Sequence, residues 1–338
     1  MKTAQYNNFI SVNAAPFGTT EISVYNSEGK RVGGFLPQKL RLPILGDKLY
    51  SCGVLSDVHV NRDYHLSSPP PNFRKALEYL KGCVNSIFIC GDLTQYGTDA
   101  ELQAYKNYIG TYSPNVPVYA ISGNHDCRVA NIANRISTYT NQPLYYSVEQ
   151  GDDVFIMLGI VNEAEGSLFA AGELQWFYET LEANRNKRCF VFMHIRPKDG
   201  CGNALGLYTN HLWGGTERTV FESLLNHYPN VILFHGHSHT KLYMQEYDKT
   251  ANYGKDFAGH SVHIPSATLP TYSSNGERVY DDNGSEGYVM DVYRNHIVLK
   301  GRDFKNGKDL LIAHYCLDTT VQNVAAKTFT DSTGTIKT

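Results

Sequence analysis

No apolar stretch of this 338-residue chain approaches the roughly 20 residues that a membrane-spanning helix needs. The longest, "VFIMLGIV" from Val154 to Val161, falls far short, so no transmembrane segment is expected. A secretory leader is missing too: in "MKTAQYNNFISVNAAP" one early lysine is followed by polar residues that interrupt any leader-length apolar core. Both absences point to a cytoplasmic protein. Excess charge is also scarce. With 30 Lys and Arg against 33 Asp and Glu the net charge is −3, and no diffuse basic field is available to recruit a nucleic acid polymer or an anionic membrane. There is no CxxC pair, which argues against a structural zinc knuckle. Cys52, Cys83, Cys90, Cys127, Cys189, Cys201 and Cys316 are odd in number and widely spaced, mostly within apolar runs such as "SIFIC" and "RCFVFM". That usage suits reduced, packed thiols better than a disulfide framework. Neither an internal repeat nor a low-complexity block is visible.

What is present is an ordinary globular composition, 42% hydrophobic and 19% charged, in a chain long enough to bury a large core. Residues 1–47 read as a small β-rich appendage, with "TEISVY", the turn "NSEGK" and "RVGGFLP" forming a hairpin. From residue 48 onward strand-like runs ("YSCGVLS", "SIFIC", "VPVYAIS", "DVFIMLGI", "RCFVFM", "NVILF") alternate with segments of helical period ("NFRKALEYLKG", "DAELQAYKNYIG", "GELQWFYETLEANR", "ERTVFESLLNHY"). This is the pattern of a layered α/β domain. After His239 further strands ("SVHIPS", "EGYVMDVY", "HIVLKGRDF", "LLIAHYCLD") read as a second sheet or as closing strands of the first. The domain is placed at 48–318, and residues 319–338 read as an extended tail.

Five of the strands run directly into residues of metal-ligand type. "GVLS" is followed by Asp57 and His59, "SIFIC" by Gly91 and Asp92, and "VYAIS" by Gly123, Asn124, His125 and Asp126. "CFVFM" is followed by His194, and "VILF" by "HGHSH" with His235, His237 and His239. Open α/β sheets place ligand sites past the carboxyl ends of their strands, so the recurrence matters more than any single element. Alone, each has a plain structural reading: Gly-Asp as a turn, Asp126 as the N-cap of a helix near "CRVANIANR", His194 as a core histidine.

The ordered set DxH, GD, GNHD, H, GHxH resembles the calcineurin-like metallophosphoesterase superfamily over about residues 48–318. That resemblance implies an α/β fold in the form of a four-layer αββα sandwich, and a dinuclear-metal-dependent phosphoester hydrolase. It implies two divalent ions (manganese, iron, zinc or cobalt), the first held by Asp57, His59, Asp92 and His239 and the second by Asp92, Asn124, His194 and His237. A hydroxide bridging the ions would attack, with His125 assisting the leaving group. Two divalent ions, two aspartates and a hydroxide leave about +1 at the site, which favours an anionic substrate in a mildly acidic protein. His235 falls outside the motif and reads as a packing residue. Asp126 is given no catalytic role.

"GDLTQYG" with "ISGNHD" is similar to the class III cyclic nucleotide phosphodiesterase-like branch, which implies a small phosphodiester substrate. The protein Ser/Thr phosphatase pattern is not met, because Leu93 follows Asp92 and Asp126 follows His125. Nor is that of purple acid phosphatases, since Gln95 stands where they carry tyrosine. A phosphomonoesterase, a nuclease and a non-catalytic binding module stand as alternatives. Substrate contacts are expected from Arg196, beside His194, and from the glycine-rich stretch "PKDGCGNALGLYTNHLWGGTE" through His211 and Trp213, with Tyr208 and Asn210 nearby.

Overall fold

The computed structural model describes residues 9–14, 20–25, 31–35, 46–62, 66–67, 70–162, 168–197, 215–242, 253–254, 257–274, 277–326, 328–330 and 335–337. They fall into two compact units, Met1–Leu45 and Gly46–Thr338. The first holds an antiparallel sheet of β1 (Phe9–Ala14), β2 (Thr20–Tyr25) and β3 (Arg31–Phe35). β2 and β3 form the hairpin read from "TEISVY" and "RVGGF".

The second unit is built on two βαβαβ runs. In one, β4 (Tyr50–Leu55), α1 (Pro71–Leu80), β5 (Ser86–Cys90), α2 (Asp99–Tyr112) and β6 (Val118–Ile121) give three parallel strands. After α3 (Ile132–Thr140) and β7 (Tyr145–Gln150), the second run comprises β8 (Asp153–Leu158), α4 (Glu173–Ala183), β9 (Cys189–Met193), α5 (Gly215–His227) and β10 (Val231–His235). The remaining strands are β11 (Tyr253–Gly254), β12 (His260–His263), β13 (Thr271–Ser274), β14 (Glu277–Tyr280), β15 (Glu286–Val292), β16 (His296–Asp303), β17 (Lys308–Asp318), β18 (Thr328–Thr330) and β19 (Thr335–Lys337). β13 and β14 pair only with each other, and β11, β12 and β15–β17 complete the two larger sheets. β15, β16 and β17 extend the first sheet antiparallel, giving β17-β16-β15-β4-β5-β6, while β12 joins the second in parallel, giving β11-β12-β10-β9-β8-β7. Residues 319–326 beyond β17 belong to no helix or strand, and Asn230 accepts from and donates to the Gln322 backbone. β18 and β19 pair as a hairpin.

Side chains alternate across each strand, and this sorts the core into three layers. From β5, Phe88 and Cys90 point between the sheets, where they meet Phe155, Phe190, Phe192 and Phe234. Ile87 and Ile89 point outward, onto Phe73 and Leu77 of α1 and Leu102 and Tyr105 of α2. In the second sheet Val154, Ile156 and Leu158 face outward onto Phe177 and Leu181 of α4 and Phe221 and Leu224 of α5. The order is therefore helix, sheet, sheet, helix, the αββα sandwich expected. The phenylalanines stack across the inter-sheet layer, Phe88 on Phe155 at 4.3 Å between centroids and Phe192 on Phe234 at 4.9 Å. At the end where β8 and β9 begin, Arg188 grips Asp153 through two bonds of 2.6 and 2.9 Å. The Tyr50 hydroxyl of the other sheet donates to the same carboxylate. The brace pins one end of the sandwich and leaves the opposite end to the loops.

α2 starts on a capping box in which Glu101 N donates to Thr98 Oγ1 and Thr98 N to Glu101 Oε2. At the start of α4 sits a buried carboxyl, Glu173. One oxygen accepts from Ala170 N at 3.0 Å; the other finds no hydrogen-bond partner among the described residues. Burial, reinforced by Glu217, pushes its pKa up to about 9. Because the folded value lies above the unfolded one, the native state binds an extra proton between about pH 4.5 and 9, and stability falls as pH rises through that window. Glu173→Gln, isosteric with the protonated acid, should thus raise stability near pH 8.5 by about 1 kcal/mol or more, because the amide needs no proton to stay neutral. Near pH 4 it should change little, and parallel denaturant titrations at the two pH values would reveal the difference. Three thiols, Cys52, Cys90 and Cys189, are buried as expected, whereas Cys83 and Cys316 are exposed. Among the described residues, no helix is long and apolar enough to cross a membrane.

Candidate metal centre

The carboxyl ends of β4, β5 and β6 from one sheet and of β9 and β10 from the other lie at the same end of the sandwich, and their loops meet. Asp57, His59, Asp92 and His239 form one buried cluster whose donor atoms all lie within 4.8 Å of one another; Asp92, His194 and His237 form a second. Asp92 is common to both. Its Oδ2 lies 3.3 Å from His194 Nε2 and 3.6 Å from His59 Nε2. Asn124 completes the second group: its Oδ1 is 2.9 Å from His237 Nδ1 and 3.2 Å from His194 Nε2.

The backbone is bent to achieve this. Asp57, His59, Asp92, His237 and His239 all have positive φ, between 48° and 70°. For a residue with a Cβ this left-handed conformation costs roughly 1 kcal/mol or more. Five such residues in one place show that fold-wide packing holds these side chains in position against local preference. Glycine is needed at two neighbours because other groups come too close. A Cβ on Gly236 would lie 1.9 Å from Ser56 Oγ, and one on Gly123 2.2 Å from Asp92 Oδ1. Gly236 does not adopt positive φ. It permits the close approach of the two sheets, and it also opens the tight turn that "HGHSH" suggests, in which Ser238 N donates to its carbonyl at 2.9 Å.

The tautomers follow from the outer hydrogen bonds. His194 Nδ1 lies 2.7 Å from the Cys90 carbonyl and His239 Nδ1 3.0 Å from that of Leu269, so both nitrogens carry the proton and donate. Each Nε2 then offers a lone pair inward. His239 Nε2 faces Asp57 Oδ1 at 3.0 Å and His59 Nε2 at 3.1 Å; His194 Nε2 faces Asp92 and Asn124 oxygens. Lone pairs directed at lone pairs repel, and a cation between them, a proton or a metal ion, reverses the sign. An imidazole that donates its outer N–H to a carbonyl and turns its other nitrogen inward is the arrangement of a metal ligand. The donor set therefore fits divalent metal ions.

The electrostatics agree. Burial alone would raise both carboxyls, yet His239 and His194 outweigh it at Asp57, and His194 and His59 outweigh it at Asp92, holding both well below the usual carboxylate range. Burial pulls His59 down to about 3. At His194 burial also pulls down, but Asp92 and Asp57 prevail and raise it to about 9.

Asp126 does not cap α3, whose N-cap is Asn131. Its carboxylate accepts four hydrogen bonds, from Leu93 N, Thr94 N, Thr94 Oγ1 and Gly123 N, at 2.5–3.0 Å. It stitches the GNHD loop to the GD loop, and so holds Asp92 beside Asn124. His125 is part-exposed. Its Nδ1 lies 2.8 Å from the Gln95 carbonyl and its backbone N donates to Asp92 Oδ1, leaving Nε2 as the outward nitrogen. His235 is buried at the end of β10 with its ring 5.6 Å from that of His263, and is part of neither cluster.

Above the clusters opens a cavity of about 390 Å³, floored by His59, Asp92, Asn124, His125, His237 and His239. Its walls are Arg62, Gln95, Arg128, Leu269, Arg278 and Tyr280. A second cavity, of about 340 Å³, adjoins it across His59 and Arg62 and reaches Pro70, Asn72, Thr268, Asp282 and Lys305. Arg196 is only 3% exposed and is not among the residues described as lining either cavity. It lies close enough to His235 and His263 to add to the burial that depresses the protonation of both. Tyr208, Asn210, His211 and Trp213 lie outside the described residues. The sequence reading missed Arg62, Arg128 and Arg278, which come from three separate segments and carry no shared local signature.

Two sheets that deliver carboxylates, imidazoles and an amide from five strand ends to one point define a layered α/β metalloenzyme. A family model for calcineurin-like phosphoesterases matches residues 51–241, more than half of the chain, and the chain belongs to that family. It is a metal-dependent phosphoester hydrolase. Among solved structures it is similar to the purple acid phosphatase PPD1 from yellow lupin (Lupinus luteus) seeds, at 15% identity and a TM-score of 0.52 over 86% of this chain and 58% of that one. This likeness supports the fold. A conserved uncharacterised protein, a predicted phosphoesterase, from Streptococcus pneumoniae TIGR4 matches at 10% identity and TM-score 0.40, over 80% of this chain and 97% of the other. Vacuolar Protein Sorting 29 from Cryptosporidium parvum matches at 17% and 0.39, over 80% and 100%. No match is found among curated proteins.

Proposed function

We propose that the protein hydrolyses small phosphodiesters at a centre of two divalent metal ions. Asp57, His59, Asp92 and His239 would hold one ion, and Asp92, Asn124, His194 and His237 the other. The observation that carries the diester reading is the pair of cavities meeting at His59 and Arg62. A phosphodiester has two substituents, and a phosphate seated over the clusters could send one into each cavity; a monoester would fill one. The motif pair "GDLTQYG" and "ISGNHD" points the same way.

When bound, the ions would polarise the phosphoryl oxygens and supply a nucleophile near neutral pH. The chain contributes orientation and proton handling. Asp126 fixes the loops that carry Asp92 and Asn124. Gln95 holds His125 Nδ1–H, so that the imidazolium form presents Nε2–H to the 390 Å³ cavity, where it can protonate a departing alkoxide. The substituent in that cavity is then the leaving group.

The purified protein with added Mn²⁺ should hydrolyse bis-p-nitrophenyl phosphate, lose activity with EDTA and regain it on metal addition. The diester should be favoured over p-nitrophenyl phosphate by about tenfold or more in kcat/KM, the scale of one well-used binding interaction. A preference for the monoester would replace the diesterase reading, and inactivity with every divalent metal tried would remove it.

A further inference from the structure

Arg62, Arg128 and Arg278 reach the same cavity from the turn after β4, from the turn Asp126–Arg128 and from β14. Asp92 is the only carboxylate described in the lining, and it lies in the floor. Guanidinium groups thus concentrate in a protein of net charge −3, above a centre already suited to one phosphate. The three are not equivalent. Arg62 lines both cavities and is paired with Asp282 at 2.6 Å, so it marks the divide and its charge is partly answered. Arg128 and Arg278 line only the leaving-group cavity. The Arg128 guanidinium is held by the Gln95 carbonyl at 3.0 Å, with Nη2 3.4 Å from His125 Nε2. Arg278 is held with its guanidinium carbon 4.5 Å from the centre of the Tyr280 ring. Both forks are oriented by their neighbours before any ligand arrives, which lowers the ordering cost of binding.

Resting on the reading above, in which His125 serves the leaving oxygen, we propose that Arg128 and Arg278 select substrates whose leaving group carries a second oxyanion, a carboxylate or a further phosphate. The planar fork of arginine matches either bidentately. Arg128 adjoins His125, so the oxyanion sits within a few bonds of the ester oxygen.

The test uses three aryl diesters on the metal-loaded full chain: methyl 4-nitrophenyl phosphate and its counterparts bearing a carboxylate or a phosphonomethyl group at the ring 3-position. At least one anionic substrate should exceed the neutral one in kcat/KM by about tenfold, the worth of a charge-assisted pair, and which one does so separates the two sources of oxyanion. In Arg128→Gln and Arg278→Gln, checked for folding by thermal melting, that ratio should fall towards one, whatever happens to the absolute rates. Equal losses on all three substrates, or no preference in the unmodified protein, would overturn the selection. Lack of turnover of all three would instead overturn the reading of the site, and the selection with it.

Discussion

Asp92→Asn should reduce bound metal from two ions per chain to one or fewer, and should lower diester hydrolysis by about a thousandfold or more, the equivalent of several kcal/mol of lost charge stabilisation. Asp92 is the only side chain common to both clusters. An amide in its place keeps one oxygen, which can still accept from His125 N in the position of Oδ1. It replaces the other with an NH2 that faces His194 Nε2 and His59 Nε2, and a nitrogen donor cannot bridge two cations. The fold should survive, because the anchoring bonds of these loops run through Asp126, Gln95 and backbone carbonyls. Elemental analysis of the purified variant, with its melting temperature as a control, isolates the metal effect from activity. Two ions retained at the normal rate would sink the assignment of Asp92 as a shared ligand.

The loops that carry the clustered residues are legible in the sequence because their signal is local: a buried strand, then Asp, Asn or His within four residues of its end. The partition of strands between sheets is not. "SIFIC" and "CFVFM" are buried on both faces, so neither alternates in polarity, and nothing local states which neighbour each will have. That is why β15 to β17, which join the first sheet, and β12, which joins the second, read alike from sequence. Asp126 shows the same limit at one residue. Its position before a helical segment suggests a cap, but the backbone donors of Leu93 and Thr94, more than thirty residues earlier, claim its carboxylate. Gly236 opens a tight turn, as its sequence suggests, but is also a point of close approach that no local signal gives, since the contact with Ser56 exists only once the sheets have packed. The cavity arginines are the extreme case: residues 62, 128 and 278 acquire a common meaning only through the fold.

His125→Ala should keep both metal ions and slow turnover by about a hundredfold or more for diesters with alkyl leaving groups, within the range that a positioned general acid contributes. For 4-nitrophenyl leaving groups, which depart without protonation, the loss should be much smaller. His125 belongs to neither cluster, and Asp92 Oδ2 lies 4.0 Å from its Nε2, too far for a hydrogen bond. The outward nitrogen is thus turned to the cavity, beside Arg128 Nη2 at 3.4 Å, with its orientation set from behind by the Gln95 carbonyl. The variant keeps the His125 backbone N–H, so Asp92 retains that donor, and the Asp126 bonds that fix the loop are untouched. A steeper dependence of kcat on leaving-group pKa than in the unmodified protein would identify proton donation. A uniform loss across leaving groups, or a loss of metal, would instead assign His125 to holding the loop.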